Sequence, residues 1–225
     1  MNLNTFNAQI QNVIDWNAVA RKMTHSFEQA DFDGQTVYIH EEIKETIAAL
    51  ATENTVEIMD GGADIFVTMA YKYFLARGVF MNDFVPEELT AEELTEPKMR
   101  EDYLIFAASS LLTNNLYAES KEDIHYNMEL LYFFLKTLEE WYGVDMHAII
   151  DEVMHSNWSK FPVYAEGTDY EGQCRVIEQA YTRKNVQFST VEVNGVTRVA
   201  FRDNFGNGKI MKPTSFVKPN IESLL

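Results

Sequence analysis

Five acidic residues recur at helical spacing in the first third of the chain. Glu42 and Glu45 are three residues apart, and Glu57, Asp60 and Asp64 follow at intervals of three and four. Residues at these spacings lie on one face of an α-helix. The pattern therefore predicts two rows of carboxylates on two helices that are close together in the chain.

Carboxylates brought together in this way need a partner. Two of them about 4 Å apart repel by roughly 4 kcal/mol at an effective dielectric constant near 20. Raised pKa values or bound divalent cations relieve the repulsion, and carboxylate oxygens are the ligands that Mg²⁺ prefers. If the two helices pack as an antiparallel pair, the rows meet and predict a Mg²⁺ site, with Glu41 at the edge of the first row.

The alternative is a solvated helix face, which is the usual meaning of this spacing in an acidic protein. The segment IMDGGADIFVTMAYKYF argues against it, because its acids stand among residues that should be buried. Gly61 and Gly62 also fall inside this helix, where each glycine costs roughly 1 kcal/mol relative to alanine. They indicate close approach of a ligand to the backbone, tight helix packing or a helix break.

The composition narrows the classes of partner. Among 225 residues, 18 Lys and Arg stand against 35 Asp and Glu, which gives a net charge of −17. This balance argues against a nucleic-acid binder, which needs a basic face, and against an anionic membrane surface as partner. It leaves cations, or ligands that bring cations, while 46% apolar residues suffice for a core.

Cysteine use and the N-terminus favour a cytoplasmic protein. Cys174 is the only cysteine, so the chain forms no internal disulfide, and this is typical of a reducing compartment. The N-terminal residues MNLNTFNAQI lack the basic and apolar regions of a signal peptide. The longest aromatic and aliphatic run, LLYFFL, is far shorter than a membrane span.

Apolar residues at helical spacing predict six helices. They are expected near residues 5–24, 37–50, 56–74, 102–116, 121–142 and 145–156. Residues 30–35, ADFDGQ, are expected to form a turn, and residues 84–97, with two prolines, to hold one short helical turn. Gly143 should end the fifth helix.

The last third of the chain changes character. Asn194-Gly195 stands between two β-branched runs, which predicts a β-hairpin over residues 186–203. A tail rich in Gly, Lys and Pro follows. We therefore expect a mainly α protein, with an antiparallel helical bundle over residues 1–160 and a C-terminal extension with a hairpin over 161–225.

These acidic segments resemble a known family. EEIKE (41–45) followed by EIMDGGAD (57–64) resembles the ExxE…ExxD signature of the all-α nucleoside triphosphate pyrophosphohydrolases, which include MazG-like and phosphoribosyl-ATP pyrophosphohydrolase-like enzymes. Three further segments are similar to phage-type members, in the same order: WNAVA (16–20), HSNWSKF (155–161) and NGKIMKPTSFVKPNI (207–221). The family's fold is an antiparallel helical bundle, so the resemblance implies that residues 1–160 form a helical catalytic bundle.

The resemblance implies an activity and its residues. It implies cleavage of a nucleoside triphosphate between the α- and β-phosphates, giving a nucleoside monophosphate and pyrophosphate. The implied cofactors of this cleavage are two or more Mg²⁺ or Mn²⁺ ions per site. The implied metal ligands are Glu42, Glu45, Glu57, Asp60 and Asp64; the implied proton acceptor is Glu41 or Glu45; and the implied substrate-binding residues are Asn157, Lys160, Lys209 and Lys212.

The second half of the signature leaves two alignments open. Glu57 and Asp60 match ExxD literally, whereas Asp64 occupies the place of the family's last acid, directly before an apolar run. If Asp64 is that acid, Gly61 stands where the family has a glutamate. The sequence therefore leaves open whether Asp60 or Asp64 is the last acid of the motif.

The resemblance also implies a homodimer or homotetramer that controls nucleotide pools, in the host cytoplasm if the chain is phage-encoded. Two other functions are compatible with the sequence. One is phosphoribosyl-ATP hydrolysis, which the hairpin and tail disfavour. The other is a non-catalytic acidic protein that imitates DNA, which would spread its acids over the surface rather than set them in an apolar helix pair.

Overall fold

A computed structural model describes residues 1–21, 29–77, 100–117, 120–182, 185–203 and 208–225. These residues form seven α-helices and two strands: α1 (Leu3–Ala20), α2 (Gln29–Ala51), α3 (Thr55–Arg77), α4 (Arg100–Tyr117), α5 (Lys121–Tyr142), α6 (Met146–Ser159), α7 (Tyr170–Tyr181), β1 (Val186–Val193) and β2 (Val196–Asp203). A 3₁₀ turn covers Ile221–Leu224. The mainly α class with one small antiparallel sheet is confirmed, whereas the bundle type stays a prediction.

The chain separates into two compact units. The helical unit comprises Met1–Ile14, Ser26–Val153 and Asn220–Leu225, and the hairpin unit comprises Asp15–His25 and Met154–Pro219. Helices α1 and α6 therefore contribute residues to both. The predicted division at residue 160 remains a prediction. None of the described helices is long and apolar enough to cross a membrane.

The helical unit is built around α3. This helix packs on α2 and α5, while α4 packs on α2 and α5. The apolar stripes expected from the sequence are buried, including Phe6 and Ile10 on α1 and Phe66 on α3. The rings of Phe6 and Phe66 meet edge to face, with centroids 5.1 Å apart. The 3₁₀ turn at the C-terminus also packs on α3, through buried Ile221.

Helices α2 and α3 approach each other most closely at a glycine. A Cβ atom added to Gly61 would stand 2.3 Å from Thr46 Oγ1, so the two backbones come together only because residue 61 has no side chain. The Thr46 hydroxyl is held in place, because it donates a hydrogen bond to the Glu42 carbonyl oxygen at 2.8 Å. Three explanations were predicted for Gly61 and Gly62, and at Gly61 the structure confirms tight helix packing.

Helix α5 begins and ends on specific residues. The Ser120 side chain accepts a hydrogen bond from the Asp123 backbone N–H, and the Asp123 carboxylate accepts one from the Ser120 N–H, which forms a capping box. Gly143 follows the last turn with a φ of 68°, in the left-handed region that favours glycine. The predicted end of this helix is confirmed.

The turn predicted at residues 30–35 is wrong, because α2 already begins at Gln29. Turn-forming residues are overridden here by tertiary contacts. Gln35 is buried, and the Phe32 ring lies 4.6 Å from the Lys72 ammonium of α3. A Cβ atom added to Gly34 would meet nothing within 4 Å, so packing does not require a glycine at this position. The helical turn predicted within residues 84–97 lies outside the described residues.

Helix α7 is missed by the sequence analysis. Asp169 caps it by accepting a hydrogen bond from the Gly172 N–H at 2.7 Å. Its buried residues are Tyr170, Cys174 and Ile177, at the helical spacing of four and three. The capping residue and the apolar spacing are both present in the sequence, but the polar residues between the three buried ones make the amphipathic pattern weak.

The hairpin unit forms on β1 and β2, as predicted. The strands pair from Val186 with Asp203 to Val193 with Val196. Asn194 and Gly195 have φ values of 51° and 75°, as a tight I′ turn requires. Arg202 donates hydrogen bonds to the carbonyl oxygens of Val19 and Ala20, which end α1.

We predict that the Gly61→Ala variant is destabilised, although alanine favours a helix by about 1 kcal/mol. The new methyl group must displace the held Thr46 hydroxyl, and such overpacking costs about 1–3 kcal/mol. Gly34→Ala is the matched control, and we expect it to be neutral or stabilising because the site is open. Urea denaturation of both variants measures the difference, and equal stability would contradict the close approach.

Candidate functional site

Two contacts define how α2 and α3 face each other. Thr46 stands opposite Gly61, and the Lys72 ammonium donates a hydrogen bond to Thr36 Oγ1 at 2.9 Å. The residue numbers of the two facing pairs add up to 107 and 108, so the helices are antiparallel with a nearly constant register. We call this contact the α2–α3 seam.

The register places the predicted acids on one flank of the seam. Successive residues turn by about 100° around a helix, so Glu42 and Glu45 lie about 40° and 100° to one side of Thr46. The acids of α3 lie about 40° to 100° from Gly61 in the same rotational sense, and they are Glu57, Asp64 and Asp60. In an antiparallel pair, the same rotation on both helices leads to the same flank.

Along the seam, the acids are not all at one level. Asp64 stands opposite position 43, between Glu42 and Glu45, and Asp60 stands opposite position 47, about one half-turn beyond Glu45. Glu57 lies about 5 Å beyond Asp60, at the start of α3. The opposite flank is apolar, with Ile39, Ile43 and Leu50 fully buried.

Burial differs among these carboxylates. Glu42, Asp60 and Asp64 are half-buried, whereas Glu45 and Glu57 are exposed. Burial raises the pKa of Asp60, and the nearby charge of Glu57 raises it further. The charged form of Asp60 is therefore disfavoured in the folded chain.

Glu41 is placed differently from its neighbours. It lies about 140° from Thr46 around α2, on the side away from α3, and it is exposed. Of the two residues proposed to accept a proton, Glu45 is therefore the one nearer to the acidic flank.

The donors on this flank have the chemistry that Mg²⁺ needs, but they are too far apart to bind one ion together. All five side chains offer carboxylate oxygens, the preferred ligands of this ion. In the part of the chain that the structure describes, no three His, Cys, Asp or Glu side chains are close enough together to hold a metal ion. The acids thus share a flank without forming a coordination shell, and the metal site stays a prediction.

Asn157 and Lys160 lie at the end of α6, in the hairpin unit. The Lys160 ammonium donates a hydrogen bond to Asn157 Oδ1 at 2.6 Å and lies 5.7 Å from the centre of the Trp16 ring. The Trp16 indole donates to the Asn157 carbonyl oxygen at 2.9 Å. Asn157 is buried. Together they form a local polar and aromatic contact, and their predicted role with substrate stays a prediction.

Lys209 and Lys212 also belong to the hairpin unit, and both are exposed. The Lys212 ammonium lies 4.4 Å from the Phe216 ring. The tail that carries them is held by backbone hydrogen bonds, from the Asp203 N–H to the Lys209 carbonyl oxygen and from the Met211 N–H to the Phe201 carbonyl oxygen. The lysines are thus presented on ordered backbone.

Two further cationic side chains, Arg198 and Lys72, were not predicted to have a role. The Arg198 guanidinium lies 4.1 Å from the Trp158 ring and donates to the Phe161 carbonyl oxygen. Lys72 is buried within the apolar run YKYFLA of α3, where a charged residue has no solvated face. A lysine within an apolar run, such as Lys72, is visible in the sequence. The contact of Arg198 with Trp158 is not, because it depends on the hairpin folding next to α6.

No protein-family model matches the chain, and comparisons with curated proteins and with solved structures also found no match.

We predict that Asp60→Asn raises the melting temperature at neutral pH without divalent cations. The folded state raises the pKa of Asp60, so its charged form opposes folding once the pH exceeds the unfolded pKa, and the amide removes this penalty. The gain should disappear in acid, where Asp60 is protonated in both states. Glu41→Gln, which removes an equal charge from an exposed site, should change little; equal gains in both variants would mean a general charge effect.

Proposed function

We propose that the chain is a Mg²⁺-dependent nucleoside triphosphate pyrophosphohydrolase that cleaves the α–β phosphoanhydride. The observation that carries the proposal is the single acidic flank of the α2–α3 seam. Five carboxylates at two helical rows stand on it, opposite an apolar flank that fixes the helices. The resemblance of the two acidic segments to the family signature supports the same reaction.

The roles of the side chains follow from their positions. Glu42, Glu45, Asp60 and Asp64 would hold the metal, since they stand within about 8 Å of one another along the seam. Bound Mg²⁺ would neutralise the phosphates of the substrate and lower the pKa of water. Glu57, at the end of the row, would join them at the periphery. The acidic flank cannot attract a polyanion by itself, so substrate would enter with its cation.

Glu45 would take the proton from the attacking water. The water oxygen forms a bond to the α-phosphorus, the bond from this phosphorus to the bridging oxygen breaks, and pyrophosphate leaves with the electron pair. A carboxylate within hydrogen-bond reach of the water is the group that this step needs. The assignment of Asn157, Lys160, Lys209 and Lys212 to the substrate rests on the resemblance alone.

The proposal requires the carboxylates to move together when a cation binds. Exposed Glu45 and half-buried Asp64 stand on facing helices, about 3 Å apart along the seam, so rotamer changes, which are fast for such side chains, would bring them closer. The raised pKa of Asp60 should return towards its usual range at that point, because a nearby cation favours the carboxylate.

We predict hydrolysis of at least one nucleoside triphosphate in the presence of Mg²⁺, read as nucleoside monophosphate and pyrophosphate over all common ribo- and deoxyribonucleotides. Glu45→Gln should lower kcat by about 10²-fold or more, because a positioned base contributes 10²–10⁴-fold. Glu41→Gln is the matched control and should keep most of the activity. Full activity in Glu45→Gln, confirmed as folded by circular dichroism, would refute the assigned role.

We also predict that Mg²⁺ raises the melting temperature of the wild-type protein by linkage, with saturation at a defined concentration. The shift should vanish in Asp64→Asn, and the same measurement on Asp60→Asn decides between the two alignments of the signature. An acidic protein that imitates DNA offers no specific divalent site. It would show a weak, unsaturated shift that is equal in the wild type and both variants, and no hydrolysis.

A further inference from the structure

Lys72 is a buried cation whose hydrogen-bond partners in the described part of the chain are neutral. It belongs to α3 in the helical unit, and only 2% of its surface is exposed. Its ammonium donates hydrogen bonds to Thr36 Oγ1 at 2.9 Å and Asn115 Oδ1 at 2.7 Å, and it faces the Phe32 ring at 4.6 Å. Among the described residues, no carboxylate lies within ion-pair distance of it.

Two polar groups near this lysine also lack partners. Asn115 is 2% exposed, and its Oδ1 atom accepts from Lys72 while its Nδ2 group has no hydrogen-bond partner in the described residues. The Nε2 atom of His40 on α2 is likewise buried without a partner there. The pKa of His40 is lowered by burial, then by the charges of Lys44 and Lys72, so the charge of Lys72 is felt at His40. Unpaired buried polar groups are costly, and their presence suggests a ligand group between them.

The charge of the missing group follows from that of Lys72. Burial lowers the pKa of Lys72 to about 8, and the charge of Asp33 acts in the opposite direction. The side chain is therefore mainly protonated at neutral pH, and its two hydrogen bonds to oxygen atoms agree with an ammonium donor. A buried ammonium whose hydrogen bonds all go to neutral groups is unfavourable, and an anion beside it would compensate the charge.

The geometry of the donors selects an oxyanion with several acceptor atoms. The third N–H of Lys72 and both N–H groups of Asn115 Nδ2 are available to accept such a ligand, and His40 can add an Nε2–H in that tautomer. They come from three helices, and the several oxygens of a phosphate group can accept hydrogen bonds from donors on different sides. Lysine is a common point-charge partner of phosphate.

We propose that Lys72, Asn115 and His40 form a binding site for a phosphate group between α2, α3 and α4. The site is separate from the acidic flank, because Lys72 is eight residues and about 12 Å along α3 from Asp64. Its donors have the opposite charge preference. The proposal does not depend on the proposed hydrolysis, since it requires neither Mg²⁺ nor catalysis.

The test is a titration of the full chain with inorganic phosphate at neutral pH, in excess chelator so that the acidic flank binds no metal. Thermal melting measures the affinity through linkage, with chloride at equal ionic strength as reference. We expect a saturable rise in melting temperature in the wild type. No rise beyond that in chloride would overturn the proposal.

Asn115→Asp is the decisive variant. It keeps the size of the side chain and gives Lys72 a carboxylate partner, so it should weaken phosphate binding by about 10- to 100-fold. Lys44→Met is the matched control, because it removes a positive charge from an exposed site on α2 and should change the affinity by about twofold or less. Unchanged binding in Asn115→Asp would show that phosphate binds elsewhere and would overturn the proposal.

A measurement on the wild type covers the case in which Asn115→Asp does not fold. The side-chain amide signals of Asn115 in a ¹H–¹⁵N spectrum should shift saturably with phosphate, and unmoved signals would again overturn the site. A parallel titration with nucleoside monophosphates identifies the source of the phosphate group. Tighter binding than that of inorganic phosphate, with the same loss in Asn115→Asp, assigns the site to a nucleotide, and equal affinity assigns it to the free ion.

Discussion

The close approach of α2 and α3 at Gly61 is the constraint on which the helical unit depends. Because no side chain separates the backbones there, Thr46 packs directly on α3, and its hydroxyl is held by the Glu42 carbonyl. This one contact sets the register of the longest helix pair. The register in turn decides which residues of each helix face each other, which face the core and which stand on the acidic flank.

The same seam separates two opposite electrostatic environments. On its open flank, carboxylates are half-buried beside one another, and burial together with Glu57 raises the pKa of Asp60. Further along, Lys72 is buried against neutral oxygens and an aromatic ring, and burial lowers its pKa to about 8. Both groups are kept in a charge state that the fold by itself disfavours. Such groups are typical of sites that bind an oppositely charged ligand.

Much of the local structure followed from the sequence because its causes are local. Apolar spacing on α1, α3 and α5, the glycine after α5, and Asn194-Gly195 in the hairpin each act within a few residues. The start of α2 did not follow, because contacts of Phe32 and Gln35 with other helices outweigh the turn-forming residues ADFDGQ. Helix α7 was missed because only three of its twelve residues are buried.

By itself, the sequence determined the helical class, the hairpin, the large negative charge and the two rows of carboxylates at helical spacing. It could not determine whether those rows meet, because the spacing of residues on one helix says nothing about the rotation of that helix against its neighbour. Only the tertiary structure decided this, through the fit of Gly61 against Thr46, which turns both rows to one flank. The surroundings of Lys72 were decided in the same way, since its partners Thr36 and Asn115 lie 36 and 43 residues away in the chain and reach it only when three helices pack.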